Sequence, residues 1–369
     1  MNRILEIDEE NMTATVQAGV ITANLQAEVE KLNLFYPPDP ASIKQSTIGG
    51  NVACNAGGPR CLKYGVTADY VMGLAVVLAD GRIVRTGGKA IKYVTGFNMN
   101  QFFVGSEGAL GIITEVILRL IARPPYARTA LVHFTTLEDA GRTVHSVLTR
   151  GLVPAAMELL DETAIECVEE TMQMGLPLDV EALLVIESDG ADEESVQREI
   201  DAIADICLDT GASRVDVARN EEERADLWRA RRSVSPSLAH KAPNKLGEDI
   251  TVPRSAIPEA ARRIKEISAR YGLPIVIFGH AGDGNLHPNI LFDRRDAEQW
   301  EKVEQIVGEI FKVALDLGGT LSGEHGIGTF KLPYMREALG QASINIQWRV
   351  KQAFDPQNIL NPGKVLPEP

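Results

Sequence analysis

The densest chemistry in this 369-residue sequence lies in Gly279-His280-Ala281-Gly282-Asp283-Gly284-Asn285-Leu286-His287, which holds two of the six histidines. Alternating apolar residues on either side of a Gly/Asp/Asn turn predict a hairpin, which would bring both imidazoles to the same end of a sheet. Imidazole nitrogen binds borderline divalent ions such as Zn²⁺ or Mn²⁺, and two histidines need at least one carboxylate to complete a partly open site. A second glycine-rich stretch, 321–328, offers Glu324 as that carboxylate and His325 as a side chain suited to taking a proton near neutrality. The plainer reading of 321–328 is a helix-capping Glu beside an exposed His. Arg229, Arg231 and Arg232, with Lys241 and Lys245 following, could grip a substrate carboxylate through a guanidinium fork. They could equally form a solvated helix face paired with Glu221, Glu222 and Glu223.

Two glycine-rich segments could serve a phosphate-bearing cofactor. One runs from Pro37-Pro38-Asp39-Pro40 through Ser46-Thr47-Ile48-Gly49-Gly50-Asn51 to Cys54-Asn55-Ala56-Gly57-Gly58, and the other is Gly105-Ser106-Glu107-Gly108-Ala109-Leu110-Gly111. Clustered glycines let backbone N–H groups approach an anion, although tight turns and close packing use the same residues. Neither segment is G-x-G-x-x-G or G-x-x-x-x-G-K-[ST], so a Rossmann fingerprint and a P-loop are both excluded.

The elements that must position these residues fall into modules. Residues 1–124 read as an α+β module of short strands and glycine loops, with a helix over 21–32 and strands over 70–79, 82–86 and 111–120. Arg123-Pro124-Pro125 closes it, because consecutive prolines remove donors and force an extended link. Residues 125–342 read as a second α+β module. Its expected strands lie at 129–134, 156–160, 181–187, 249–252, 274–279 and 286–292, and its helices at 137–150, 161–172, 191–210, 220–238, 256–271 and 296–317. Residues 343–369 carry a short helix ending at Asp355-Pro356.

Composition narrows the partners. Thirty-seven Lys plus Arg against fifty-one Asp plus Glu give a net charge of −14, the wrong sign for a general nucleic-acid binder. Four cysteines with no C-x-x-C pairing exclude a disulfide scaffold and suit a cytoplasmic chain. No apolar run approaches the length of a bilayer crossing, so any membrane association would be peripheral. The sequence enters a strand pattern at once from Met1, as a natural edge strand would, or as an internal methionine of a longer chain would.

Taken in order, P-P-D-P, S-T-I-G-G-N, G-S-E-G-A-L-G-I-I-T-E-V, G-H-A-G-D-G-N-L-H-P, S-G-E-H-G-I-G and F-D-P-x-N-I-L-N-P-G-K resemble the FAD-linked oxidase family. The likeness is closest to its branch acting on 2-hydroxy acids such as glycolate, D-lactate and D-2-hydroxyglutarate. It implies an α+β chain with an incomplete flavin domain of the vanillyl-alcohol-oxidase type over 1–124, a substrate cap over 125–342, and a segment over 343–369 that returns to the flavin domain. It also implies flavin contacts at Pro38, Asp39, Ser46, Thr47, Gly49, Gly50, Asn55, Gly57, Glu107, Gly108, Gly111, Ile112, Ile113 and Asn361. His280, His287 and Glu324 would hold a divalent metal (Zn or Mn), His325 would be the base, and Arg231 would anchor the substrate carboxylate. Electrons would leave through an iron–sulfur type partner subunit or a quinone.

The resemblance also implies a further N-terminal segment with a phosphate-wrapping loop, which is expected to be missing here. Losing three charge-assisted hydrogen bonds of about 1.5–3 kcal/mol each would weaken FAD binding by roughly three to six orders of magnitude. The expected activity is FAD-dependent oxidation of a small 2-hydroxy acid. The competing expectations are a metal-dependent hydrolase on the same three ligands and a non-catalytic remnant.

Overall fold

The computed structural model describes residues 1–369, and the chain gathers into two compact units: Met1–Arg123 with Glu324–Pro369, and Pro124–Gly323. In the first, alternating apolar residues build an antiparallel five-stranded sheet in the order Ile4–Asp8, Thr13–Gln17, Ile112–Arg119, Val71–Val77 and Ile83–Gly87. Val16, Leu74, Val76, Val116 and Leu118 bury one face against Leu25, Ile48 and Phe103.

One glycine segment departs from the expected loop. Ile48–Cys54 is an α-helix, capped by the Thr47 side chain, which accepts the Gly50 N–H at 3.1 Å. Each helical glycine costs about 1 kcal/mol relative to Ala. Complete burial of Ile48 and Val52 offsets that cost, at about 1.5–3 kcal/mol per side chain.

The second unit is an antiparallel sheet in the order Ala212–Val217, Tyr126–Phe134, Ala182–Gly190, Ala156–Asp161, Ile275–His280, Asn285–Phe292 and Asn244–Gly247, with Ile250–Thr251 also paired to Asn285–Phe292. Helices Glu162–Met172 and Glu221–Lys241 contribute Ala164, Val168, Ala230, Val234 and Leu238 to a core that holds Leu131, Leu160, Leu183, Val185, Val276 and Phe278 from the strands. Helices Leu137–Thr149, Glu193–Asp209, Ile257–Tyr271 and Ala297–Asp316 complete the unit. Ala212–Val217 and Asn244–Gly247 were not expected from the sequence. Both lie at ends of the strand order and carry charged residues that blur the alternation.

By its packing, the second compact unit ends at Gly323. Residues beyond Gly323 are tied into the first unit, because Glu107 accepts the N–H groups of Ile327 at 2.7 Å and Gly328 at 2.9 Å. Met335–Phe354 is helical on either side of a break at Gly340 (φ 74°, ψ 157°), and its second stretch is the short helix expected before Asp355-Pro356. Asn220 caps the helix that carries Arg231, its side chain accepting the Glu223 N–H at 2.9 Å. Asn220→Ala is expected to cost about 1 kcal/mol, read in urea unfolding as a lower midpoint with an unchanged slope.

Candidate functional site

The hairpin forms as its spacing suggests. Ile275–His280 and Asn285–Phe292 pair antiparallel, with Phe278 opposite His287 and His280 opposite Asn285. Strand alternation therefore points Phe278, His280 and His287 to one face. The two histidine rings stand edge to face with centroids 5.1 Å apart, and both residues are buried.

Beneath them lies a residue that sequence reasoning did not single out. Glu158 sits directly opposite His280 on the neighbouring strand, fully buried, with Oε1 at 2.6 Å from His280 Nδ1. Its other oxygen, Oε2, lies 2.6 Å from Arg231 Nη2. The Arg231 guanidinium also stacks 5.0 Å from the centre of the Phe278 ring. Burial is the largest influence on the Glu158 carboxyl and pushes its pKa up, but the His280 ring and the Arg231 guanidinium beside it together hold it below the usual value. The sequence signal was faint: a lone acid inside the apolar run Ala155-Ala156-Met157-Glu158-Leu159-Leu160.

A second carboxylate, Asp249, stands at the same end of the hairpin on its other side. It accepts hydrogen bonds from Asn285 Nδ2 at 2.6 Å, Ser322 Oγ at 2.6 Å and the Gly323 N–H at 3.0 Å, and its Oδ1 lies 3.8 Å from His287 Nδ1. Arg231 is the inward-facing member of the basic cluster. Arg229 is exposed and paired with Asp226 at 3.1 Å, and Arg232 lies over the Trp228 ring. Lys241 pairs with Glu170 at 2.7 Å, while Lys245 donates to the Ser235 carbonyl at 2.6 Å. Two buried histidines, one of them oriented by a carboxylate, are a donor set that fits a borderline divalent cation.

In the first unit, Glu324 is partly buried and His325 exposed. Glu324 packs on Gly57, where a Cβ would lie 2.9 Å from Glu324 Oε2. The two glycine segments are brought together: the N–H groups of Gly105 and Glu107 donate to the carbonyls of Val52 and Ala53 at 2.9 and 2.8 Å. Asn361 joins them, its side-chain N–H donating to the Glu107 carbonyl at 2.6 Å.

Several residues expected at the flavin serve the chain itself. A Cβ at Gly49 would lie 2.5 Å from that of Ala18, and one at Gly111 would lie 2.4 Å from Val76, so packing alone requires glycine at both. Ser46 bonds Thr22, Asn55 accepts the Ala68 N–H at 2.8 Å, Pro38 accepts from Gln26, and Asp39 accepts the Arg60 N–H. Others leave surface open for a cofactor. Gly108 (φ 77°) has nothing within 4 Å of where a Cβ would stand, Gly50 is exposed, and Ile112 is 53% exposed, with Ile113 half-buried next to it. An uncovered glycine backbone followed by an exposed apolar side chain fits a planar, phosphate-bearing group.

Three of the four thiols are poorly placed for cysteine chemistry. Burial pushes the Cys54 and Cys167 thiols up and takes Cys207 to about 12, away from the reactive thiolate. No helix is long and apolar enough to cross a membrane.

Comparison with known proteins assigns the class. The family described as "FAD linked oxidases, C-terminal domain" matches residues 123–365, and "FAD binding domain" matches residues 1–87. The chain belongs to the FAD-linked oxidases, an oxidoreductase family, which sets aside the hydrolase expectation. Among its relatives, "Glycolate oxidase subunit GlcD" of Bacillus subtilis is 49% identical over 99% of this chain and 78% of that protein. A "D-lactate dehydrogenase" of Anaerostipes hadrus is 37% identical over 99% of this chain and 78% of its own length. Crystalline p-cresol methylhydroxylase shares the fold, with a TM-score of 0.81 at 18% identity, covering 99% of this chain and 78% of that one. The α+β fold is thus of the vanillyl-alcohol-oxidase type.

Proposed function

We propose that the protein oxidises a small 2-hydroxy acid of the glycolate or D-lactate type to the 2-oxo acid. The observation that carries this reading is the buried His280–His287 pair, with His280 held by Glu158, in a chain 49% identical to a glycolate oxidase subunit. His280, His287 and Glu324 would hold a divalent metal, Zn²⁺ or Mn²⁺, whose contribution is Lewis acidity toward the substrate hydroxyl. Arg231 supports anchoring of the substrate carboxylate: its Nε–H is buried and without a protein acceptor, although Nη2 is ion-paired with Glu158. His325 takes the hydroxyl proton. Bound FAD supplies the two-electron acceptor for the hydrogen on the α-carbon.

In this reading Gly50, Gly108, Ile112 and Ile113 line the flavin, Glu107 and Asn361 shape the loop beside it, and the remaining flavin-side residues hold the cradle together. Electrons then pass to an iron–sulfur type partner subunit or a quinone. The test is anaerobic: the full chain, supplied with FAD and Mn²⁺, is mixed with glycolate or D-lactate and watched for loss of the oxidised flavin band. Bleaching that a chelator abolishes is the expected result. A flavin-loaded, metal-loaded protein that no 2-hydroxy acid reduces would overturn the proposal.

A further inference from the structure

We infer that Glu158 is a positioning residue that decides which nitrogen of His280 carries the ring proton, and that Arg231 decides which way Glu158 can do so. The inference rests on the proposed metal reading and concerns residues of the second unit alone.

The logic is one of donors and acceptors. A neutral imidazole has one N–H and one lone pair, and the partner of one nitrogen fixes the role of the other. Glu158 is acceptor-only when ionised, so its Oε1 at 2.6 Å keeps the proton on Nδ1 and places the lone pair on Nε2. Arg231 is donor-only, and its Nη2 stands 2.6 Å from the second oxygen as an ion pair. The arrangement has little freedom. Glu158 stands on a strand hydrogen-bonded on both sides, with Val185 opposite it on one neighbour and His280 on the other. Arg231 is pinned over Phe278, two residues before His280. A carboxylate that only balanced the charge of Arg231 would not need to lie in register with His280.

The arrangement makes a specific demand of Glu158→Gln, which changes neither size nor shape. Arg231 accepts nothing, so it claims the amide oxygen and turns the amide N–H₂ toward His280 Nδ1. That nitrogen must then accept, the ring proton moves to Nε2, and the lone pair that would meet a metal is lost. Removing Arg231 as well, in the double variant Glu158→Gln with Arg231→Met, lets the amide turn over and present its oxygen to Nδ1–H.

The probe is Co²⁺, whose visible absorption reports its ligands, titrated into the full chain with thermal unfolding recorded in parallel. Glu158→Gln is expected to weaken Co²⁺ binding by about 10- to 100-fold. The double variant is expected to return to within several-fold of wild type, even if it melts lower. If the single variant does not fold, Glu158→Asp carries the test, because the shorter side chain withdraws from His280 and should weaken binding in the same direction. A purely structural ion pair predicts the opposite order, with Co²⁺ affinity following thermal stability and no rescue in the double variant. Equal affinity in wild type and Glu158→Gln overturns the inference while leaving the metal reading standing. Failure of the wild-type chain to bind Co²⁺ overturns both.

Discussion

Replacing His287 by alanine is expected to slow substrate-driven flavin reduction by about a thousandfold or more while leaving the bound-flavin spectrum unchanged. The size follows from what is removed: a Lewis-acid contribution of several kcal/mol, at 1.36 kcal/mol per factor of ten. The spectrum should persist because the open glycine surface at Gly50 and Gly108 belongs to the first unit and His287 to the second. His133 is the fitting control, being another buried histidine of the same sheet, paired with Asp216 at 3.0 Å and assigned no role in the chemistry. His133→Ala should lower the melting temperature yet keep near-normal turnover. Chelator-treated wild type should match His287→Ala. If His287→Ala and His133→Ala lose turnover in equal proportion, burial rather than metal binding explains the histidine pair.

The second large effect is expected at Gly279, between Phe278 and His280. A Cβ there would lie 2.3 Å from the Asn285 carbonyl oxygen and 2.9 Å from the Leu286 Cα. Both are backbone atoms of the paired strand, so no flexible side chain can move aside. Gly279→Ala must part the two strands at the point where the histidines are aligned. Overpacking of this kind costs about 3 kcal/mol at the upper end of the usual range, equivalent to several degrees of melting temperature for a unit of this size. Co²⁺ binding should fall with it. By contrast, Gly272→Asn should be nearly silent: Gly272 ends the helix Ile257–Tyr271 at φ 67°, with nothing within 4 Å of its Cβ position, and Asn tolerates that backbone. A Gly279→Ala protein that melts and binds Co²⁺ like wild type would mean that the hairpin backbones are not so closely opposed.

The legible parts of this chain were those whose signals are local. Helix Ile257–Tyr271 announced itself by Pro258 at its start and Gly272 just after its end, and the His280–His287 hairpin by its turn residues between apolar runs. Glu158 was not legible because its role depends on strand order: it meets a histidine far along the chain only because Ala156–Asp161 lies beside Ile275–His280. Arg231 was legible as a candidate, but which of three neighbouring arginines faces inward is set by the phase of the helix against the sheet. Helix Ile48–Cys54 was hidden by its two glycines, which weaken local propensity, while the burial that stabilises it is tertiary.

The ties at Glu107 have a consequence for how the protein is made. Ile327 bonds to Glu107 across 220 positions, Lys351 to the Ala109 carbonyl across 242, and Asn361 to Glu107 across 254. Residues 1–123 therefore leave the ribosome before the segment that finishes their own unit exists. At typical synthesis rates, some 200 intervening residues take about 10–40 s, far longer than a sheet of this size needs to collapse. For that interval the nascent first unit lacks the partners of its Glu107 loop and the Phe354 ring that packs on its core. It must wait half-built, with apolar surface uncovered, while the whole second unit is translated. The interrupted order of the chain thus makes the flavin-side unit the last to be completed.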